Sequence, residues 1–181
     1  MTHWYHVGKT DVRARLLADR HYSRQNPGTT EFCPPGNSIV LIIPSVSGTA
    51  ALWCSHRPDP RANLELPRKD GFIYWDNPYF RNESGIKSSD LILEALAITR
   101  YLWPTDELLD DGFHSFVSTK HIKPTRRRGQ DFWGYCFYAA GFRAHSERTK
   151  TRNLIRYIYP KDEFLRIKPI APNYEQLRLA I

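Results

Sequence analysis

Ser88-Ser89-Asp90-Leu91-Ile92-Leu93-Glu94-Ala95-Leu96-Ala97-Ile98-Thr99-Arg100-Tyr101-Leu102-Trp103 is the stretch whose reading decides the fold. Leu91, Ala95, Ile98 and Leu102 recur at the spacing of one face of an α-helix. Ile92, Leu93, Leu96 and Ala97 widen that face until little polar surface remains, which predicts a nearly covered helix over 88–103 lying against a sheet. Ser88 is placed to cap the first turn, Asp90 suits the positive end of the helix dipole, and Pro104 ends the run.

Working outward, residues 71–75 read as a strand, and the loop 81–87 delivers the chain to the helix. The glycine, hydroxyls and cations of that loop suit a helix N-terminus that receives an anion. Residues 112–119 read as a second strand, completing a β-α-β unit, and 134–143 as a short helix closed by a glycine, with Phe142 returning to the core. Upstream, Thr10 reads as an N-cap and 11–20 as a helix with Val12, Leu16 and Leu17 turned inward. Residues 25–30 are turn chemistry, and Pro34-Pro35-Gly36 blocks helix and permits a sharp reversal. Strands follow at 38–43 and 49–54, joined by a hairpin at 45–48. Residues 56–70 read as a long exposed loop, 105–111 as an acidic connector, 121–131 as a basic loop, 154–159 as a late strand, and 161–181 as a peripheral tail. This order predicts an α/β fold, a mixed sheet with helices on both faces, in a single domain spanning 1–181 with its core at about 10–160.

A chain of 181 residues with 41% hydrophobic and 13% aromatic residues is long and apolar enough to build a sizeable core, which excludes a disordered chain. Its apolar runs are too short for a membrane span, so no membrane association is expected. Residues 1–6 lack a basic segment followed by an apolar one, so the expected location is the cytoplasm. Cys33, Cys54 and Cys136 are odd in number, far apart and without a C-x-x-C pair, which argues against a disulfide framework and against structural zinc. The net charge is +7, and it is concentrated: residues 120–156 carry ten Lys and Arg against Asp131 and Glu147. Such a face points to a polyanion, most simply nucleic acid, with a solvated surface or an anionic-cofactor site as the other readings.

Residues 134–143 resemble the late helix of the GNAT acyltransferase fold, in which a tyrosine three residues before a Gly-Phe step closes the acyl-CoA groove; here that tyrosine is Tyr138. The likeness covers roughly residues 39–159. A narrower resemblance is to the GNAT-like Mom DNA-modification proteins of phages and their bacterial relatives. Those carry an early His-Tyr pair after the first helix, matched by His21-Tyr22, and a late Gly-x-x-(Phe/Tyr)-x-x-Ala-Gly-(Trp/Phe) segment, matched by 134–142. Phe80-Arg81-Asn82-Glu83 and Ser88-Ser89 look similar as well. The resemblance implies a GNAT-like mixed sheet and a transferase acting on DNA at the exocyclic amine of adenine, with iron, in the host cytoplasm if phage-encoded. The loop 81–88 departs from the pattern, because the Gly-x-Gly that holds the CoA pyrophosphate is missing. That leaves acetyl-CoA or another acyl donor open.

On this resemblance His21 offers an imidazole to iron, with Tyr22 as phenolate and Asp131 as a carboxylate ligand; alternatively His21 is a base, or simply closes the first helix. Tyr138 is read as a general acid toward a leaving thiolate or as a packing residue. Arg81, Gly85, Ser88 and Ser89 are the candidate cofactor residues at a strand end, where α/β folds often bind ligands. Ser23, Arg24, Trp75, Asn77 and Asn82 are candidates for holding an extruded base, against the reading of an ordinary strand end and turn. Lys120, Lys123, Arg126, Arg127 and Arg128 are candidates for gripping phosphates. Cys136 reads as a small buried residue. Three functions stay open: a DNA base-modifying enzyme, an acetyl-CoA-dependent N-acetyltransferase on a small amine or protein, and a non-catalytic nucleic-acid-binding module.

Overall fold

Alternation of apolar side chains in the first two strands sends Ile39, Leu41 and Ile43 to one face of a sheet and Val40 and Ile42 to the other, so both faces must be covered. A computed structural model, describing residues 2–46, 48–59 and 66–174, shows how. Among these residues the elements run β1 (Tyr5–Val7), α1 (Val12–Ala18), β2 (Asn37–Ser45), β3 (Gly48–Arg57), β4 (Trp75–Asn82), α2 (Ser88–Leu102), β5 (Phe113–Val117), β6 (Thr125–Arg127), β7 (Gln130–Phe132), α3 (Tyr135–Ala139), β8 (Arg143–Ala144), β9 (Ile155–Tyr159) and α4 (Lys161–Arg166). The architecture is α/β, with a mixed seven-stranded sheet in the order β1-β2-β3-β4-β5-β9-β8 and a separate β6-β7 hairpin. One face packs Trp53, Trp75 and Phe113 against Leu91, Ile92, Leu96 and Ile98 of α2. The opposite face packs Ala14, Leu17 and Ala18 of α1 on Val40, Ile42, Leu52 and Tyr79.

Every pair of neighbouring strands in the large sheet is antiparallel except β4 and β5, which run parallel because α2 carries the chain back between them. That parallel pairing lasts for three residues: Trp75 with Phe113, Asp76 with His114, and Asn77 with Ser115. Pro78 follows and has no N–H to donate. Beyond it, β4 pairs only with β3 and the end of β5 only with β9. The sheet therefore opens as a wedge between β4 and β5.

The differences from the sequence reading have local causes. Ser88 is the first residue of α2 rather than its cap, because its hydroxyl receives the Asn82 amide and Lys87 takes the cap position without a side-chain bond. Asp11, not Thr10, caps α1, accepting the N–H groups of Arg13 and Ala14, and this rotates Val12 and Leu16 outward, each 55% exposed. The strand expected at 71–75 begins only at Trp75 and continues through Pro78 to Asn82. Residues 161–174 are not peripheral: α4 places fully buried Phe164 against Trp75 and Phe113, at ring distances of 5.9 and 5.6 Å. Asn173 then ties back to β1 by donating its N–H to the Trp4 carbonyl. The tail at 175–181, Ser47 of the hairpin, and 60–65 of the long loop lie outside the described residues. Among the described residues no helix is long and apolar enough to cross a membrane.

Candidate functional site in the splayed sheet

Where the strands part, their carbonyls lose partners, and an unpaired buried carbonyl is costly. The segment leaving α1 supplies replacements. The Tyr22 hydroxyl donates to the Phe116 carbonyl of β5 at 2.8 Å, and the Ser23 hydroxyl lies 3.0 Å from the Pro78 carbonyl of β4, in position to donate. The two residues thus bridge the wedge. Tyr22 is sandwiched between His21, at a ring distance of 4.4 Å, and His121, at 5.4 Å with the rings nearly parallel. His121 is held in turn by the Ser118 hydroxyl, 2.9 Å from its Nδ1. The Ser23 N–H donates to His21 Nδ1 at 3.2 Å. Burial, helped by the nearby Arg81 charge, pushes the His21 pKa down to about 4, so its imidazole is neutral near neutral pH. Burial pushes the Tyr22 pKa up to about 12, so it remains a phenol.

A cleft of 880 Å³ opens over this bridge. Tyr22, Ser23 and Arg24 form one wall, Cys33 to Pro35 another, Asn77, Tyr79 and Phe116 the floor, and Lys120, His121 and Arg152 the basic rim. The fold thus gathers five sequence candidates, Tyr22, Ser23, Arg24, Asn77 and Lys120. Two of them are committed elsewhere. Arg24 pairs with Asp19 at 2.8 Å and donates to the Glu31 and Thr29 carbonyls, which shapes the rim loop. Asn77 spends its amide hydrogens on the Cys54 and Tyr79 carbonyls, each at 2.8 Å, and cannot donate them to a base. His21 stands behind Tyr22 rather than on the cleft surface. His121 was not singled out from the sequence, although the Ser118-x-x-His121 spacing is the one that lets a hydroxyl orient a ring in a turn. Cys33 and Cys54, distant in sequence, place their thiols 3.6 Å apart beside the cleft.

The remaining candidates lie outside it. Trp75 is fully buried with its Nε1–H donated to the Glu107 carbonyl, so it belongs to the core rather than to a base-holding surface. Asn82 organises the loop before α2: its amide donates to the Ile86 carbonyl and Ser88 Oγ, and its Oδ1 accepts from the Ser84 N–H and hydroxyl. Arg81 donates to Glu83 and to the Arg20 carbonyl. A side chain at Gly85 would meet open space, so no close backbone approach requires that glycine. Ser89 is buried and donates to Asp90. The Ser84 and Ile86 N–H groups are taken up within the loop, which therefore does not fit a CoA pyrophosphate in the manner of a Gly-x-Gly turn. Tyr138 is 56% exposed on α3, away from the cleft lining. Asp131 faces Arg126 across the exposed β6-β7 hairpin, whose turn carries Arg128 and which Lys123 precedes. His21 Nδ1 is occupied by Ser23, the Tyr22 hydroxyl by Phe116, and Asp131 lies on a separate hairpin, so these three do not fit as one donor set for iron. Among the described residues no cluster of three or more His, Cys, Asp or Glu side chains could hold a metal.

The bridge makes a direct prediction. Tyr22→Phe keeps the ring stack but orphans the Phe116 carbonyl, and should lower stability by about 1–2 kcal/mol in urea unfolding. An unchanged unfolding midpoint would remove the hydroxyl from the bridge. A scan of protein-family models and a search of curated proteins returned no match to this chain.

Proposed function

We propose that the chain is a GNAT-like enzyme that modifies DNA, with the wedge cleft receiving an extruded base. The observation that carries this reading is a coincidence of position. The cleft lies where a short parallel strand pair parts, and its rim holds Lys120 and Arg152. The exposed arginine hairpin follows directly from Lys120 and His121. The parting beside β5 and the crossover by α2 support the GNAT-like reading of the sheet. An enzyme that works on a base takes it out of the stack, and an open cleft beside aromatic rings and cations suits that task.

The reaction this reading assigns is transfer of a small acyl-derived group to an exocyclic amine, that of adenine. The amine attacks the acyl carbon of the donor: the new N–C bond forms as the bond from that carbon to the donor's carrier group breaks, the carrier leaves with that electron pair, and the amine loses a proton. His121, exposed at the end of the Tyr22 stack and oriented by Ser118, is the residue we assign to accept it. Buried His21 and protonated Tyr22 instead fix the position of that ring.

Mass spectrometry of nucleosides from cells expressing the protein tests the proposal. An adenine adduct is expected with the native chain, and at least about a hundredfold less with His121→Ala. The second reading is an acetyl-CoA-dependent N-acetyltransferase on a small amine or protein, with the donor held other than by a Gly-x-Gly turn. Unmodified DNA together with tight acetyl-CoA binding would select it. DNA binding with neither product nor small ligand would leave a non-catalytic module.

A further inference from the structure

Phe132, Tyr135 and Tyr138 form a closed triangle of rings outside the cleft. Their centroids are separated by 5.9, 6.0 and 6.0 Å. Phe132 ends β7, and the two tyrosines stand one turn apart on α3. The triangle does not anchor α3 to the protein. Phe137, buried against Phe80, Phe142 and Tyr157, does that from the other side of the helix. Tyr138 is left 56% exposed. The neighbourhood is basic: the Arg127 guanidinium stands 5.1 Å from the Tyr135 ring, and Asp131 is the only acid between residues 120 and 146.

An exposed tyrosine backed by two half-buried rings, beside exposed arginines with no acid paired to them among the described residues, has a specific chemical complement. We propose that this triangle is a stacking platform for the bases of an unpaired nucleic-acid strand, with the hairpin arginines taking its phosphates. Every base presents a π-face, so stacking of this kind tolerates any sequence. A duplex keeps its bases stacked on each other and offers the hairpin only phosphates. An enzyme that works on a base can also take it from a strand that is already unpaired, and the platform would hold such a strand. The inference rests on the DNA reading above and adds a preference for single strands.

Fluorescence anisotropy with single-stranded and duplex oligonucleotides of one sequence, at several salt concentrations, tests it. The native chain should prefer the single strand. Tyr138→Ala should weaken single-strand binding about tenfold or more, leave duplex binding unchanged, and leave the salt dependence unchanged because no phosphate contact is lost. Tyr138→Phe should retain native affinity. The platform is overturned if Tyr138→Ala spares single-strand binding, or if it weakens both forms equally. If Tyr138→Ala spares the single strand while removal of the arginines abolishes duplex binding, the platform falls and the DNA reading stands. If the native chain binds neither form, both fall.

Discussion

On the proposed DNA reading, changing Arg126, Arg127 and Arg128 together to alanine is expected to lower DNA affinity by roughly two orders of magnitude at low salt and to flatten its salt dependence. All three side chains are exposed on β6 and at the hairpin turn. The turn is Arg128-Gly129, with φ of 48° and 80°, a two-residue reversal that suits the twist of the strands on either side. Asn or Gly adopts that conformation more easily than Arg, so Arg128 is kept at a small backbone cost. A local cost of this kind is what a binding residue at a hairpin tip would carry. Each phosphate contact contributes about −0.9 to the slope of log K against log salt, so losing three should flatten it by about 2.7. Stability should stay within about 0.5 kcal/mol, because no buried group is touched. Titrations between low and moderate salt that show native affinity and native slope would make the hairpin a solvated surface.

Acid should unfold this protein early. His21 and His114 both have folded-state pKa values lowered by burial from 6.5 to about 4. His114 is fully buried, stacked at 4.0 Å on Tyr74, and bonded through Nε2 to the Asp111 carbonyl. Below its unfolded pKa each imidazole binds a proton in the unfolded chain but not in the folded one. Stability is therefore complete above about pH 6.5 and falls as pH drops toward 4. Each histidine should remove up to about 3 kcal/mol over that window. Together they approach the whole stability of an ordinary domain. The carboxylates with lowered pKa values act further down. Asp76 is the buried example: burial would raise its pKa, but the His56 hydrogen bond and the Arg68 charge hold it below the usual range. Urea unfolding at neutral pH and near pH 4.5 measures the effect. His114→Phe, which keeps an aromatic ring beside Tyr74, should remove about half of the pH dependence. A pH-independent midpoint in the native protein would refute the argument.

How legible the molecule was in its sequence depended on whether a signal was local. α2 was read within one residue at its end, because periodicity, Asp90 and Pro104 all act along a single helix. β2, β3 and β9 carry runs of apolar residues and were placed closely. β1, β8 and the β6-β7 hairpin are two or three residues each, and their ladders are visible only once partners are in place. The strand expected at 71–75 stops where β4 begins, because the apolar run ends at Trp75 and Asp76, Asn77 and Pro78 carry no strand signal of their own. The fold uses them to end the parallel pairing while the strand continues. The site divides in the same way. His21-Tyr22 was found as a motif, and so was the arginine run. Which of those side chains reaches the cleft was not legible, since it depends on contacts across 94 residues, as between Tyr22 and Phe116. Trp75 and Asn77 have the side chains that base recognition uses, and the fold spends that chemistry on Glu107, Cys54 and Tyr79.

The hydroxyls of Tyr22 and Ser23 have a consequence for how the wedge meets another polypeptide chain. Parted strands inside a sheet are a pair of internal edges, and a free edge invites an extended polypeptide to add itself as a strand. Here the Phe116 carbonyl is already occupied and the Pro78 carbonyl has a hydroxyl at hand, while Pro78 offers no N–H in exchange. An incoming peptide would have to displace both side chains before it could pair with either carbonyl. The wedge is thus insulated against strand addition, including by a second unfolded chain of its own kind. What it leaves open is the cleft above the bridge, which is reached without parting the strands further.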